Sequence, residues 1–215
     1  EDPASKLEAK AETWRYVQKG GFYWAGAYAF DDYVLIGTDD GEDGYSSDTA
    51  NLLLLDPKSG KLLDSMTGFT GDIRCSICYD TATKAFYFTS KGGYLYSVQV
   101  QKSGSSWKLA NKKQLELGGM STSTPVVHNG RAYIGVSGAG QFTPYSGHNI
   151  TVVNLSNMSA AYRMPTQGYP QTSGLLTTAY EKSGNGYVYV YFFDNYTPGK
   201  LRVLRDKAGQ TTAEY

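Results

Sequence analysis

Beyond its first dozen residues, the chain alternates short hydrophobic runs with polar clusters and shows no helical period. The runs are rich in β-branched and aromatic residues, and Gly, Asn, Asp and Ser lie between them, which is typical of strands and turns. Residues 33–38 and 51–55 are two such runs, and the segment 56–61 between strands combines a proline with a glycine. Residues 1–12 are rich in Ala, Glu and Lys and predict a polar tail or a short helix. The pattern therefore predicts an all-β protein over residues 13–215.

This strand pattern recurs with a period of about fifty residues. Runs that match as the second strand of each copy lie at 34–36, 86–88, 132–134 and 188–190. The copies cover about 22–66, 72–117, 120–165 and 172–215, with first strands predicted at 22–30, 72–79, 123–128 and 174–181 and a last strand at 211–215.

Each copy predicts four antiparallel strands joined by tight turns, and Asn129-Gly130 is a strong hairpin signal. Such a repeat favours a β-propeller, because stacked four-stranded blades bury one another's faces. The alternative is an irregular β-sandwich, which requires no period of this length.

Composition narrows the class of protein. The 215 residues carry twenty basic and twenty acidic groups, and this zero balance argues against a nucleic-acid-binding protein. No apolar run approaches the roughly 18 residues of a membrane span, so we expect no membrane insertion of this segment. The prevalence of Ser, Thr, Gly, Tyr and Asn favours an extracellular or cell-surface bacterial protein.

Three segments carry a family resemblance. Residues 123–135, Ser-Thr-Pro-Val-Val-His-Asn-Gly-Arg-Ala-Tyr-Ile-Gly, resemble the blade opening of PQQ-like, quinoprotein-type β-propeller repeats. Residues 52–62 resemble the third strand and hairpin of that repeat, and 33–41 its second strand, in a WD40/YVTN-like arrangement. The resemblance implies more than four blades, so the chain is expected to be part of a larger propeller.

A tryptophan late in each blade often staples it to its neighbour in this family. Trp14 is placed for that role, and 13–17 is interpreted as the last strand of an earlier blade.

The resemblance also raises the question of enzymatic activity. Quinoprotein dehydrogenases have a catalytic Asp, a calcium site and often an adjacent Cys pair, and none of these is recognisable in this sequence. Cys75 and Cys78 lie three residues apart in a predicted strand, where they face opposite sides, and are interpreted as buried and reduced. No nucleophile motif is evident either. We therefore expect no enzyme activity and no cofactor.

The acidic segment 39–44 is a candidate calcium site through Asp39, Glu42 and Asp43, because Ca²⁺ prefers carboxylate oxygens. The favoured alternative is a solvated acidic loop, since the EF-hand spacing is not met.

Ligand-binding residues are predicted from topology. In a four-stranded meander, the loops between second and third strands share a face with the links between blades. Long or aromatic loops at 39–50, 137–148 and 193–199 and the link at 168–170 lie on that predicted face. The predicted binding residues are Tyr45, Phe142, Tyr145, His148, Tyr169 and Tyr196. We expect them to cluster there, partly exposed, and to bind a protein or glycan; the alternative is that Tyr is simply frequent in this chain.

Together these features predict a non-enzymatic binding or scaffold module of a bacterial cell-surface or secreted protein. The alternatives are a degenerate quinoprotein-like or glycan-active enzyme, and a purely structural spacer.

Overall fold

The structure is a computed structural model that describes residues 12–138 and 146–214. These residues form antiparallel β-sheets and no helix. The strands are β1 (Tyr28–Ala29), β2 (Val34–Gly37), β3 (Ala50–Leu55), β4 (Leu62–Phe69), β5 (Cys78–Asp80), β6 (Ala85–Thr89), β7 (Tyr94–Ser103), β8 (Ser106–Glu116), β9 (Val126–His128), β10 (Arg131–Val136), β11 (Asn149–Asn154), β12 (Ser159–Pro165), β13 (Leu175–Thr177), β14 (Val188–Asp194) and β15 (Lys200–Asp206).

Each sheet is a meander of consecutive strands. The orders are β1-β2-β3-β4, β5-β6-β7-β8, β9-β10-β11-β12 and β13-β14-β15, named here blades 1 to 4. Blade 4 has three strands in the described part of the chain. Where a fourth was predicted at 211–215, the described residues show one bridge, between Arg205 and Glu214, and Tyr215 lies outside them. The predicted all-β class and blade order are confirmed.

Tight turns connect the strands where the sequence predicted them. Asn129 and Gly130 both have positive φ, 51° and 74°, as the predicted two-residue hairpin between β9 and β10 requires. The Asp56 carboxylate accepts hydrogen bonds from the amides of Lys58 and Ser59, which holds the turn between β3 and β4.

The first strand of each blade is shorter than predicted. The residues before β1 and β5 bond to the next blade along the chain instead of extending their own ladder. The Ile77 amide donates to the Gly26 carbonyl (3.2 Å), and the Ser76 amide donates to the Thr124 hydroxyl (2.8 Å). The predictions of strand from residue 22 and from residue 72 are wrong for this reason.

The hydrophobic core lies between successive blades. On β6, Phe86 and Phe88 pack into a cluster with blade 1, while Tyr87 between them packs into a cluster with blade 3. A third cluster joins blades 3 and 4 through residues such as Val152, Tyr162, Val190 and Phe192. A central blade is therefore buried on both faces, which confirms blade stacking and excludes the β-sandwich.

Trp14 contacts blade 1. Its indole N–H donates to the Pro57 carbonyl (2.9 Å), and its ring lies over Gly60. Its role in joining two blades stays a prediction. Residues 13–17 form no strand, so their interpretation as the last strand of an earlier blade is wrong, and residues 1–11 lie outside the described part.

Blades 3 and 4 share a buried ion pair. Arg131 on β10 and Asp206 at the end of β15 are 3% and 0% exposed, and the Arg131 Nε lies 3.2 Å from Asp206 Oδ2. The hydroxyls of Tyr133 and Tyr162 donate to the two carboxylate oxygens at 2.7 and 2.6 Å. Every oxygen of this buried carboxylate therefore has a partner from blade 3.

Gly135 on β10 lies under the link between blades 3 and 4. A Cβ built on Gly135 would be 1.7 Å from the Pro170 carbonyl oxygen. We expect Gly135→Ala to lower the free energy of unfolding by about 1–3 kcal/mol, because the link must move. Urea denaturation with Gly199→Ala as control checks this, since a Cβ on Gly199 meets nothing closer than 3.5 Å. Equal losses in the two variants would contradict the packing described.

Buried tyrosines and a buried thiol predict sensitivity to high pH. Burial raises the pKa of Tyr33 to about 12 and that of Cys75 to about 11, from ordinary values of 10.0 and 9.0. Burial also raises the pKa values of Tyr133 and Tyr162, with the charge of Asp206 adding to the effect.

The unfolded chain releases these protons at lower pH than the folded chain, so rising pH favours unfolding. We expect stability to be complete below about pH 9 and to fall as the pH rises through about 12. The urea midpoint measured across this range checks the prediction, and Tyr33→Phe should reduce the slope. A midpoint independent of pH would contradict it.

Candidate functional site on the loop face

The second-to-third-strand loops and the links between blades meet on one face, which we call the loop face (residues 17–26, 38–49, 70–76, 90–93, 118–124, 146–148, 166–173 and 195–199). The Asp72 amide of the first link donates to Gly44 in the loop of blade 1 (3.0 Å). The Lys91 amide of the blade 2 turn donates to the Asp72 carbonyl (2.9 Å). Neighbouring blades thus build this face jointly.

Four charged side chains form a network at the junction of blades 1 and 2. Arg74 Nη2 lies 2.6 Å from Asp39 Oδ2 and 2.9 Å from Asp72 Oδ2. Lys91 Nζ contacts the same Asp72 oxygen at 2.8 Å. Asp39, Asp72 and Lys91 are buried and Arg74 is half-buried. Burial raises the pKa of Asp39, and the hydrogen bonds from Arg74 oppose that rise. The network is neutral and fixes the position of the guanidinium.

Two exposed aromatic rings flank that guanidinium. The Arg74 Cζ lies 5.0 Å from the Tyr23 ring centroid and 5.4 Å from that of Trp24. Tyr23 and Trp24 are 56% and 67% exposed. Trp24 also has φ of 57°, uncommon for a bulky residue. We call Tyr23, Trp24 and Arg74 the aromatic corner; its rings rest on a fixed cation and open to solvent.

Tyr45, a predicted binding residue, belongs to the same junction. Lys91 Nζ lies 4.1 Å from its ring centroid, in cation–π geometry, and the side chain is partly exposed. Tyr196, on the loop of blade 4, is 43% exposed. Both therefore keep the exposure that was expected of them.

His148 and Tyr169, two further predicted binding residues, are buried instead of exposed. They are 2% and 4% exposed, and their rings stack at 6.3 Å between centroids. The Thr122 amide donates to the Tyr169 hydroxyl (2.7 Å), and the Gly138 amide donates to His148 Nδ1 (2.9 Å). Burial raises the pKa of Tyr169 and lowers that of His148. The expected exposure is wrong for this pair, because it packs the link between blades 3 and 4. Phe142 and Tyr145 lie outside the described residues.

Two of the three predicted calcium ligands, Asp39 and Asp43, interact with other protein groups. Asp39 pairs with Arg74, and Asp43 accepts hydrogen bonds from the Tyr45 and Ser46 amides of its own loop. A hydrogen bond from the Ser46 hydroxyl, together with these amide bonds, holds the pKa of Asp43 well below its usual range. Glu42 is exposed. Within 12–138 and 146–214, no three His, Cys, Asp or Glu side chains converge as metal ligands would.

Cys75 and Cys78 are free thiols, buried and half-buried respectively. The Cys75 sulfur accepts a hydrogen bond from the Thr89 amide (3.1 Å), and the Cys78 thiol donates to the Tyr87 carbonyl (3.3 Å). Burial raises both pKa values. Neither thiol is an activated nucleophile.

The PQQ cofactor of quinoprotein dehydrogenases does not fit this donor set. PQQ is a planar quinone with three carboxylic acid groups, so it requires cationic donors with free hydrogen-bonding capacity. Arg74 and Lys91 are instead neutralised by Asp39 and Asp72, beside a loop that carries further carboxylates.

A groove of about 530 Å³ lies away from the loop face, between blades 2 and 3. Its polar side chains bond largely to one another: the Asn111 amide donates to Gln99, the Gln99 amide to the Thr83 carbonyl, and the Tyr87 hydroxyl to Thr83. This internal pairing makes the groove a weaker candidate than the aromatic corner.

The sequence reasoning missed Tyr23, Trp24, Asp72, Arg74 and Lys91. The fifty-residue period held one usable signal, since residues 24 and 74 occupy matching positions in consecutive repeats. The repeat places both in the segments that lead into the first strands of blades 1 and 2, on the loop face.

No protein-family model matches this sequence, and no curated protein matches it. The fold is similar to that of several solved structures. Quinohemoprotein alcohol dehydrogenase ADHIIG from Pseudomonas putida HK5 is 13% identical, with a TM-score of 0.57 over 94% of this chain and 35% of that chain. BamB from Moraxella catarrhalis is 9% identical, with a TM-score of 0.53 over 91% of this chain and 53% of that one. The β-propeller domain of Cps50 (Swd1) from Myceliophteria thermophila is 10% identical, with a TM-score of 0.54 over 80% and 49%.

These likenesses agree with the blade order and show the fold, which is a β-propeller with four blades in the described residues. The chain spans between 35% and 53% of the length of these neighbours. Among the described residues no helix has the length and apolar character to cross a bilayer.

Proposed function

We propose that this chain is a non-enzymatic binding or scaffold module, which holds a partner on its loop face at the cell surface of a bacterium or after secretion. The observation that carries the proposal is the aromatic corner. Large exposed aromatic side chains on a rigid support are typical of the residues that dominate binding energy.

The pairing of ionisable groups supports a binding role over catalysis. A general base or nucleophile needs a pKa that suits its reaction and a position that a substrate can reach. Asp39, Asp72, Arg74 and Lys91 instead neutralise one another, and His148 is buried against Tyr169. The solved neighbours include a named alcohol dehydrogenase and two proteins whose names state no enzyme activity. The fold alone therefore favours neither class.

Ligand capture tests this proposal. Immobilised wild type, Trp24→Ala and Tyr180→Ala are exposed to a glycan array and to solubilised bacterial envelope proteins. Tyr180 is the matched control, because it is 59% exposed but lies in the turn between β13 and β14, on the opposite face. We expect a ligand retained by wild type and Tyr180→Ala and lost by Trp24→Ala. Retention by all three, or alcohol oxidation by the purified protein with added PQQ, would overturn the proposal.

A further inference from the structure

Four exposed apolar side chains lie within eight residues of the segment that leads into blade 1. They are Val17, Phe22, Tyr23 and Trp24, with exposures of 80%, 37%, 56% and 67%. Several large exposed apolar side chains close together in the chain are typical of an interaction site. The same segment lies against the acidic loop, since the Asp39 amide donates to the Gly21 carbonyl (3.1 Å) and Gly20 contacts Gly41.

The surroundings of this apolar patch are strongly acidic. Segments 17–26, 38–49, 70–76 and 90–93 of the loop face carry six carboxylates and three cations, a net charge of −3; the carboxylates are Asp39, Asp40, Glu42, Asp43, Asp48 and Asp72, and the cations are Lys19, Arg74 and Lys91. The two buried carboxylates, Asp39 and Asp72, form ion pairs with Arg74 and Lys91. The outer carboxylates have no cationic partner among the described ion pairs.

The hydrogen bonds of the outer carboxylates distinguish between ligand classes. Asp40 accepts from the Glu42 amide at one oxygen and from the Gly44 amide at the other. Asp43 accepts from loop amides at one oxygen and from the Ser46 hydroxyl at the other. Each of these four oxygens already accepts at least one hydrogen bond, which leaves fewer lone pairs for the directed bonds that sugar hydroxyls need. Their charge remains, and it attracts cations at a distance without requiring free lone pairs.

The aromatic corner already accommodates a guanidinium. One cation, Arg74, sits over both rings, and the rings still present more than half of their surface to solvent. Cation–π contacts are favourable with either Lys or Arg, and an aliphatic stem adds apolar contact.

We propose that the aromatic corner and the adjoining acidic loop bind a cationic peptide segment of a partner protein, one that combines Lys or Arg with apolar residues. The apolar side chains of the segment pack on Tyr23 and Trp24, and its cations face Glu42, Asp43 and Asp48. This inference rests on the proposed function, and it narrows the partner from a protein or glycan to a basic polypeptide.

Fluorescence anisotropy with defined probes tests the inference. The probes are a labelled 12-residue peptide that alternates Lys-Leu with Gly-Ser, its counterpart with Gln for Lys, its counterpart with Glu for Lys, and a labelled chitohexaose. We expect wild type to bind the Lys peptide most tightly, with affinity that falls as salt rises.

Three variants separate the contributions. Trp24→Ala should weaken binding of the Lys peptide by on the order of tenfold or more. The double variant Glu42→Gln/Asp48→Asn, which changes exposed side chains only, should weaken it by about threefold or more and flatten the salt dependence. Tyr180→Ala should bind as wild type does. Unchanged melting temperatures verify that each variant is folded.

The outcomes separate this inference from the proposed function. Binding of chitohexaose or of the Gln peptide in preference to the Lys peptide, with loss in Trp24→Ala, overturns the cationic partner and keeps the binding face. Lys-peptide binding that is equal in wild type, Trp24→Ala and the double charge variant overturns the assigned site. Failure of wild type to bind the Lys peptide also overturns the inference, whereas failure of ligand capture by the loop face overturns the proposed function.

Discussion

Replacing Asp206 with alanine is expected to lower the free energy of unfolding by about 3–5 kcal/mol. The carboxylate is 0% exposed and is the ionic partner of Arg131, which is 3% exposed. Its removal leaves a buried guanidinium without a counter-charge and deprives the hydroxyls of Tyr133 and Tyr162 of their acceptor. Breaking a buried pair from one side costs far more than the pair contributes, because the remaining charge has lost its compensation.

Urea or thermal unfolding measures this effect, with Glu214→Ala as the matched control. Glu214 forms an ion pair with Arg205 on the same blade, but the two side chains are 37% and 42% exposed, so its loss should cost less than about 1 kcal/mol. Replacing both members of the buried pair, Arg131→Met with Asp206→Leu, should recover much of the loss. A cost for Asp206→Ala as small as that of the control would contradict the account of this interface.

Asp72→Ala is expected to have the second large effect, a decrease of about 3 kcal/mol in the free energy of unfolding. Asp72 is 2% exposed and pairs with both Arg74 and Lys91, of which Lys91 is itself 6% exposed. Its other oxygen accepts the Asp40 amide at 3.1 Å, which ties the acidic loop to the blade 2 link. The variant should therefore unfold at lower urea and also release the loop at 39–49.

Limited proteolysis gives the second readout for Asp72→Ala, because an untied loop is cut faster than the folded core. The control is Asp48→Ala, an exposed carboxylate in the same loop. We expect Asp48→Ala to match wild type in both stability and cleavage rate. Identical behaviour of the two variants would contradict the role assigned to the buried network.

The strands that were predicted correctly are those buried on both faces. The predicted second-strand runs 86–88 and 132–134 lie within β6 (Ala85–Thr89) and β10 (Arg131–Val136). A strand between two neighbouring blades has no solvent side, so it is a continuous apolar run flanked by turn residues. The first strands of the blades were predicted too long, because apolar residues that contact the next blade resemble strand residues in sequence.

The candidate site was predictable only in part, because a residue type does not specify the direction of its side chain. Tyr45 and Tyr169 were chosen for the same reason, yet one lies partly exposed over Lys91 and the other is buried against His148. The Asp72–Arg74–Lys91 network joins the link at 70–76 to the turn at 90–93 in blade 2. A local sequence pattern does not predict a contact between residues so far apart in the chain. The predicted alternation of loops in a meander identified the loop face from the sequence. The aromatic corner became apparent only from the side-chain positions in the structure.

Site-specific photocrosslinking in the cells that naturally produce the protein tests the central claim most directly. A benzoyl-phenylalanine side chain is installed in place of Trp24 in one variant and in place of Tyr180 in another, and the products are separated by mass after irradiation. We predict a discrete crosslinked partner from position 24 and none of the same mass from position 180. A partner trapped only from position 180, or no adduct from position 24, would contradict the assignment of the loop face as the binding surface.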